Sequence, residues 1–234
     1  MDLKTINVAF RRAENYGIIL KNPIAAIRPP KEDSSERGVF SSEEVQKLIN
    51  APDLEWQALI ILGFFTGARL RDCVQMTWDN IHPERGMIEY QQIKTNKKVL
   101  VPMHFHVIEH VDFLSTFGTT GFLCPKLASK VTGGKRGLSA RFKEIMAKAE
   151  VDPITVAGKG IRKFNRRTFH ALRHSFNSAL ANAGVAEEVR MKLTGHASKV
   201  MNTHYTHLQV DTLRNAVKAL PLFGSEPPKS PKPS

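Results

Sequence analysis

Apolar residues at Ile6, Ala9, Phe10 and Ala13 carry the three-to-four spacing of one helix face over about Leu3 to Leu20. Asn22-Pro23 and then Pro29-Pro30 end that pattern. Residues 31–38 are polar, charged and without period, so they predict a linker. Ser41-Ser42-Glu43-Glu44 precedes Val45, Leu48 and Ile49, the form of a capped helix start with acids in its first turn. Leu54 to Phe65 is apolar almost all round, which predicts a core helix ending at Thr66-Gly67, and Ala68 to Met76 predicts a shorter one. Met87–Lys94 and Lys97–Met103 are rich in Ile, Val and Tyr and flank Thr95-Asn96, as in a β-hairpin. Helical periods return over about His106–Phe117, Leu138–Glu150, Phe169–Ala183, Ala186–Leu193 and Val210–Leu220. Pro227-Pro228, Pro231 and Pro233 mark residues 221–234 as a disordered tail. The fold class expected is mainly α with a small antiparallel β-sheet, in one domain over residues 39–220.

Charge narrows the class of partner. Lys and Arg total 34 against 22 acids, a formal net charge of +12. The acids are also unevenly spread: Phe113–Lys143 and Pro153–Ala186 contain none. The first stretch holds Lys135 and Arg136, and the second holds Lys159, Arg162, Lys163, Arg166, Arg167 and Arg173. Long stretches of unopposed positive charge attract phosphates, so double-stranded DNA is the expected partner and these residues other than Arg173 its backbone contacts. Cys73 and Cys124 are the only cysteines, which excludes a disulfide framework and suits a reducing cytoplasm. The sequence shows neither a membrane-spanning apolar run nor the apolar core of a signal peptide after Met1.

The chemistry centres on a few residues. Breaking a phosphodiester without water requires a nucleophile, positive charge for the crowded phosphate, and an acid for the leaving oxygen. Tyr205 is a candidate nucleophile, although an ordinary phenol is ionised only about one part in a thousand at neutral pH. His170 and Arg173 are three apart in a helical pattern and share a face, so an imidazole and a guanidinium can enter one cleft. Arg69 follows Thr66-Gly67 at a helix start, where backbone N–H groups also favour anions, and Asp72 one turn on can orient it. Arginine suits the task because its planar fork grips two oxygens and stays charged.

In this order the residues resemble the tyrosine recombinase family, the phage-integrase-like site-specific recombinases. The resemblance covers about Gly38 to Leu220 and rests on the Thr-Gly-x-Arg start at Arg69, Lys94 in the hairpin, His170 with Arg173, His196 after Gly195, and Tyr205 nine positions beyond. It implies the DNA breaking-rejoining fold, with Tyr205 forming a 3′-phosphotyrosyl link and freeing a 5′-hydroxyl. It further implies Arg69 and Arg173 as phosphate clamps, His170 as proton acceptor, His196 as a donor to the phosphate, and Lys94 as acid for the leaving oxygen, although Lys97 and Lys98 lie across the same turn. Asp72 stands where the family usually has Glu. No cofactor or metal is implied. Residues 1–30 are expected to be the last helix of a core-binding domain otherwise absent from these 234 residues. A homotetramer on two DNA sites is implied, with Val210–Leu220 docking on a neighbouring protomer. A non-catalytic DNA-binding relative and a type IB topoisomerase are the alternatives, and the expected location is the cytoplasm, in association with the nucleoid.

Other signals are weaker. His104, His106 and His110 could invite a metal but lack a convincing fourth ligand, and surface histidines are the expectation. Thr132–Gly137 and Ala157–Gly160 are glycine-rich and basic without P-loop spacing, so they fit loops along a DNA backbone. Tyr16 and Tyr90 are expected to be packing residues.

Overall fold

The computed structural model describes residues 3–27, 38–157, 163–195 and 210–221. The chain forms two compact units, residues 1–36 and 37–234. The expected linker falls almost wholly among the undescribed residues 28–37, and the expected tail among 222–234.

In the first unit α1 (Leu3–Asn15) stops before the predicted end at Leu20, because Gly17 turns left-handed at φ 69°. Tyr16 is 72% exposed, which corrects its expected packing role. Asn22 donates to Asn7 at 2.8 Å and accepts from the Ile24 N–H at 3.0 Å, closing the segment back on the helix.

The second unit is built around α3 (Leu54–Thr66), following α2 (Ser42–Asn50). The capping box of α2 is present: Ser41 accepts from the Glu44 N–H, and Glu44 accepts from the Ser41 N–H. Helix α3 is apolar on every side and is wrapped by α2, α4 (Leu70–Val74), α5 (Phe105–Ser115) and α8 (Phe169–Asn182). Gly63 allows α8 to approach closely, since a Cβ there would lie 2.7 Å from Phe169. Three antiparallel strands stand beside this bundle in the order β1 (Ile81–His82), β2 (Met87–Gln91), β3 (Lys98–Pro102). The turn between β2 and β3 runs from Gln92 to Lys97, longer than the two residues expected, so Lys94 lies in the turn and not in a strand.

The short helix α6 (Pro125–Ala128), α7 (Leu138–Lys148) and a second hairpin of β4 (Thr155–Ala157) and β5 (Lys163–Asn165) complete the middle of the chain. The chain continues through α8 and α9 (Glu187–Thr194), and α10 (Val210–Lys218) then packs on α9 and β3. Leu213, Ala216, Val217 and Leu220 are buried there against elements of the same chain. His104 and His106 are 4% and 8% exposed, which corrects their expected surface role. His104 stacks on Phe65 at 4.3 Å, and its Nδ1 accepts from the His106 N–H to cap α5. Among the described residues, no helix is long and apolar enough to cross a membrane, and no cluster of His, Cys, Asp and Glu could hold a metal ion.

Candidate active site

Four segments converge beside the C-terminus of α3. Thr66 is fully buried, and its hydroxyl accepts from the Ala68 N–H at 3.1 Å, tightening the chain reversal. Gly67 takes φ 65°, and a Cβ there would meet Phe176 at 2.7 Å, so only glycine fits this junction. The reversal delivers Arg69 as the N-cap of α4. It also aims the Gly67 carbonyl at Arg173, whose Nη1 donates to it at 2.6 Å.

Arg173 is 2% exposed, an unusual position for a charged group. Its Nη2 donates to the Thr194 carbonyl at the end of α9. No carboxylate is hydrogen-bonded to it among the described residues. Burial first, and then the positive charge of Arg69, lower its pKa to about 10, so it remains cationic at neutral pH. Asp72 is the carboxylate that offsets the pair, with Oδ2 3.8 Å from Arg69 Nη1. Arg69 Nη1 and Arg173 Nε are buried without a hydrogen-bond partner. Two guanidiniums with buried donors that lack a hydrogen-bond partner are a candidate seat for an oxyanion.

Asp72 also reaches the sheet. Its Oδ1 accepts from the Ile93 N–H at 2.9 Å, so α4 holds the turn that carries Lys94. Lys94 and Lys97 are exposed on this turn, whereas Lys98 is occupied by Glu89 at 2.7 Å. His170 opens the first turn of α8 with its side chain exposed, and its ring meets His174 edge to face at 4.7 Å. A cleft of about 270 Å³ runs along this edge, lined by Arg69, Leu70, Arg71, Thr132, Ser139 and His170 among others. Arg69, Asp72, the Lys94 turn, His170 and Arg173 are therefore gathered in one region. His196 and Tyr205 lie outside the described residues, but Gly195, the residue before His196, caps α9 at φ 66°.

The expected DNA contacts divide. Lys135 and Arg136 are exposed in the loop before α7. Arg166 is half-buried with its Nε enclosed, and Lys159, Arg162 and the Lys163 side chain fall outside the described residues. Arg167 departs from the expectation: it pairs with Glu44 at 2.6 Å and lies 5.4 Å over the Phe40 ring, so its charge is used within the fold.

Residues overlooked in the sequence complete the site. Gln92 is fully buried; its Nε2 donates to the Thr194 carbonyl at 2.8 Å, and its Oε1 accepts from Thr95 Oγ1 at 2.6 Å. The alternation of buried Ile88, Tyr90 and Gln92 with Glu89, Gln91 and Ile93 was the available signal, since it puts a polar residue on the inner face. Tyr90 is 4% exposed and its phenol pKa is pushed well up by burial, so it is no rival to Tyr205. Burial likewise raises both thiols, Cys124 to about 12.

Comparison with known proteins supplies the family. The model of the phage integrase family matches residues 39–211. The chain belongs to that family. Among curated relatives of the integrase family, the tyrosine recombinase XerD of Vibrio cholerae is 26% identical over 209 residues. That match takes in 87% of this chain and 65% of the XerD protein, so the chain spans under two thirds of that relative. Among solved structures, the integrase from mycobacterium phage Brujita matches with TM-score 0.58 and 21% identity over 97% of this chain and 73% of that one. A lambda integrase tetramer bound to a Holliday junction matches with TM-score 0.58 and 22% identity over 89% of this chain and 60% of that one. The expected integrase-type catalytic-domain fold is thus present.

Proposed function

We propose that this chain is a site-specific DNA recombinase that cleaves and rejoins strands through a 3′-phosphotyrosyl intermediate. The observation that carries the reading is the pair Arg69 and Arg173, close enough for one charge to depress the pKa of the other, each with a buried N–H that has no hydrogen-bond partner. Arg173 is held by two neutral backbone carbonyls and hydrogen-bonds no carboxylate among the described residues, so a scissile phosphate can complete the site.

In the reaction the Tyr205 oxygen attacks phosphorus, the bond to the 5′-oxygen breaks, and the pentacoordinate charge falls on Arg69 and Arg173. His170 takes the phenol proton, His196 donates to a non-bridging oxygen, and Lys94 gives its proton to the departing 5′-oxygen. The phosphotyrosyl ester keeps the bond energy, so a partner strand's 5′-hydroxyl reverses the step without ATP or metal. Double-stranded DNA is the substrate, gripped along its backbone by Lys135, Arg136, Lys159, Arg162, Lys163 and Arg166. The working form is a homotetramer on two synapsed sites in the nucleoid, a reading supported by the likeness to the junction-bound tetramer.

The test uses a nicked suicide duplex bearing the site that the full chain selects from a random-sequence pool. Wild type is expected to form a covalent adduct and Tyr205→Phe none; an adduct that persists in Tyr205→Phe would remove Tyr205 from the role.

A further inference from the structure

Lysine is a flexible stem bearing a point charge, so a lysine acid is placed only as well as its backbone. On the Gln92–Lys97 turn both neighbours of Lys94 are tethered. The Ile93 N–H donates to Asp72 Oδ1 at 2.9 Å, and Thr95 Oγ1 donates to Gln92 Oε1 at 2.6 Å. Gln92 holds the turn with its backbone as well: its N–H donates to the Lys97 carbonyl at 2.8 Å, and its own carbonyl accepts from the Asn96 N–H at 2.8 Å. The other end of its side chain crosses to α9, where Nε2 donates to the Thr194 carbonyl. That carbonyl also receives Arg173 Nη2.

One oxygen is therefore the common anchor of the phosphate clamp and of the Lys94 turn. The contact is tight: a Cβ on the next residue, Gly195, would lie 2.6 Å from Gln92 Nε2 and 2.8 Å from Val99. Packing alone does not call for an amide here, because a leucine would fill similar volume without the cost of burying polar atoms.

We infer that Gln92 is a positioning residue for the leaving-group acid: through Thr95 it fixes the Lys94 turn to the Thr194 carbonyl, and so sets Lys94 in register with Arg173. The inference rests on the proposed strand cleavage, with Lys94 as the acid. It extends that reading to a buried residue that touches neither DNA nor the reacting atoms.

The experiment compares two suicide duplexes of one sequence, differing only at the scissile position. In one the 5′ bridging atom is oxygen; in the other it is sulfur, which departs as a thiolate and needs no proton. Gln92→Leu and Thr95→Ala are each measured for the rate of adduct formation on both duplexes, beside wild type, Lys94→Ala and Arg173→Ala. Thr95 is exposed, so Thr95→Ala tests the same strap without disturbing the core. On the oxygen duplex both strap variants are expected to slow about tenfold or more, since a positioned general acid supplies roughly 10²–10⁴-fold. On the sulfur duplex they, like Lys94→Ala, should return to within about threefold of wild type, while Arg173→Ala stays slow on both, because only the acid's role is bypassed by sulfur. Strap variants that match wild type on oxygen, or are equally slow on both duplexes, would overturn the inference and leave strand cleavage standing. A wild type that forms no adduct on either duplex would overturn strand cleavage itself.

Discussion

Arg167 and Arg173 stand six positions apart at the entrance to one helix, both largely withdrawn from water, and they are used in opposite ways. Arg167 has a carboxylate, Glu44, and an aromatic face, Phe40. Its charge is cancelled within the protein, and Glu44 simultaneously caps α2, so the pair joins two helix starts. Arg173 is held by the neutral carbonyls of Gly67 and Thr194 and has another guanidinium for a neighbour. Burying a charge without an opposite partner is costly. A buried charge held by carbonyls, next to Arg69 that lines the cleft, is the one expected to take an anion, whereas the Arg167 pair is a structural joint.

The largest expected effect separates the two arginines by activity. Arg173→Ala removes the proposed phosphate donor and should slow adduct formation by about 10²–10³-fold, as loss of one such donor does elsewhere. A rate within threefold of wild type would dissolve the contrast.

His104 extends the comparison to a base that meets burial by giving up its proton. Burial, and then the neighbouring His106, lower its pKa to about 4 from 6.5. Its Nδ1 accepts the cap hydrogen bond of α5, a role open only to the neutral ring. The folded chain thus binds fewer protons than the unfolded one between pH 4 and 6.5. The stability that His104 contributes is full above pH 6.5 and is lost as the pH falls towards 4, on the order of 3 kcal/mol in all. Denaturant titrations across this range should show a steeper fall for wild type than for His104→Phe, and equal slopes would reassign the acid sensitivity.

Arg167→Ala should cost stability and little else. With side chains 15% and 27% exposed, the Arg167–Glu44 pair is partly screened, so the loss is expected at about 1–2 kcal/mol. The salt dependence of DNA binding should stay unchanged in Arg167→Ala, while Lys135→Ala or Arg136→Ala lowers its slope by about one unit each. A lowered slope for Arg167→Ala would return that residue to the DNA contacts.

Much of the fold was legible because its signals are local. Helix α3 announced itself by an apolar run too long for a strand, and α2 by its capping box. Strand β1 has two residues and β4 and β5 three each, too short for alternation to register. The arginine, lysine and histidine positions of the site could be picked out by motif spacing, but their surroundings could not. Whether a basic residue meets a carboxylate or a carbonyl depends on a partner far along the chain: Glu44 lies 123 positions from Arg167, and Gly67 lies 106 from Arg173. Charge counting placed both arginines in one acid-free stretch. Gln92 was hidden for a related reason, since its partner Thr194 is 102 residues away.

The positive charge of Arg69 works against that of Arg173, and a small tetrahedral dianion is expected to offset both. Sulfate at tenfold over its dissociation constant should add about 1.4 kcal/mol to unfolding, a rise in melting temperature of roughly 3–6 °C for a domain of this size. Arg69→Ala should abolish that rise, and chloride at equal ionic strength should not reproduce it. An inert salt would thereby report on the phosphate seat in the absence of any DNA.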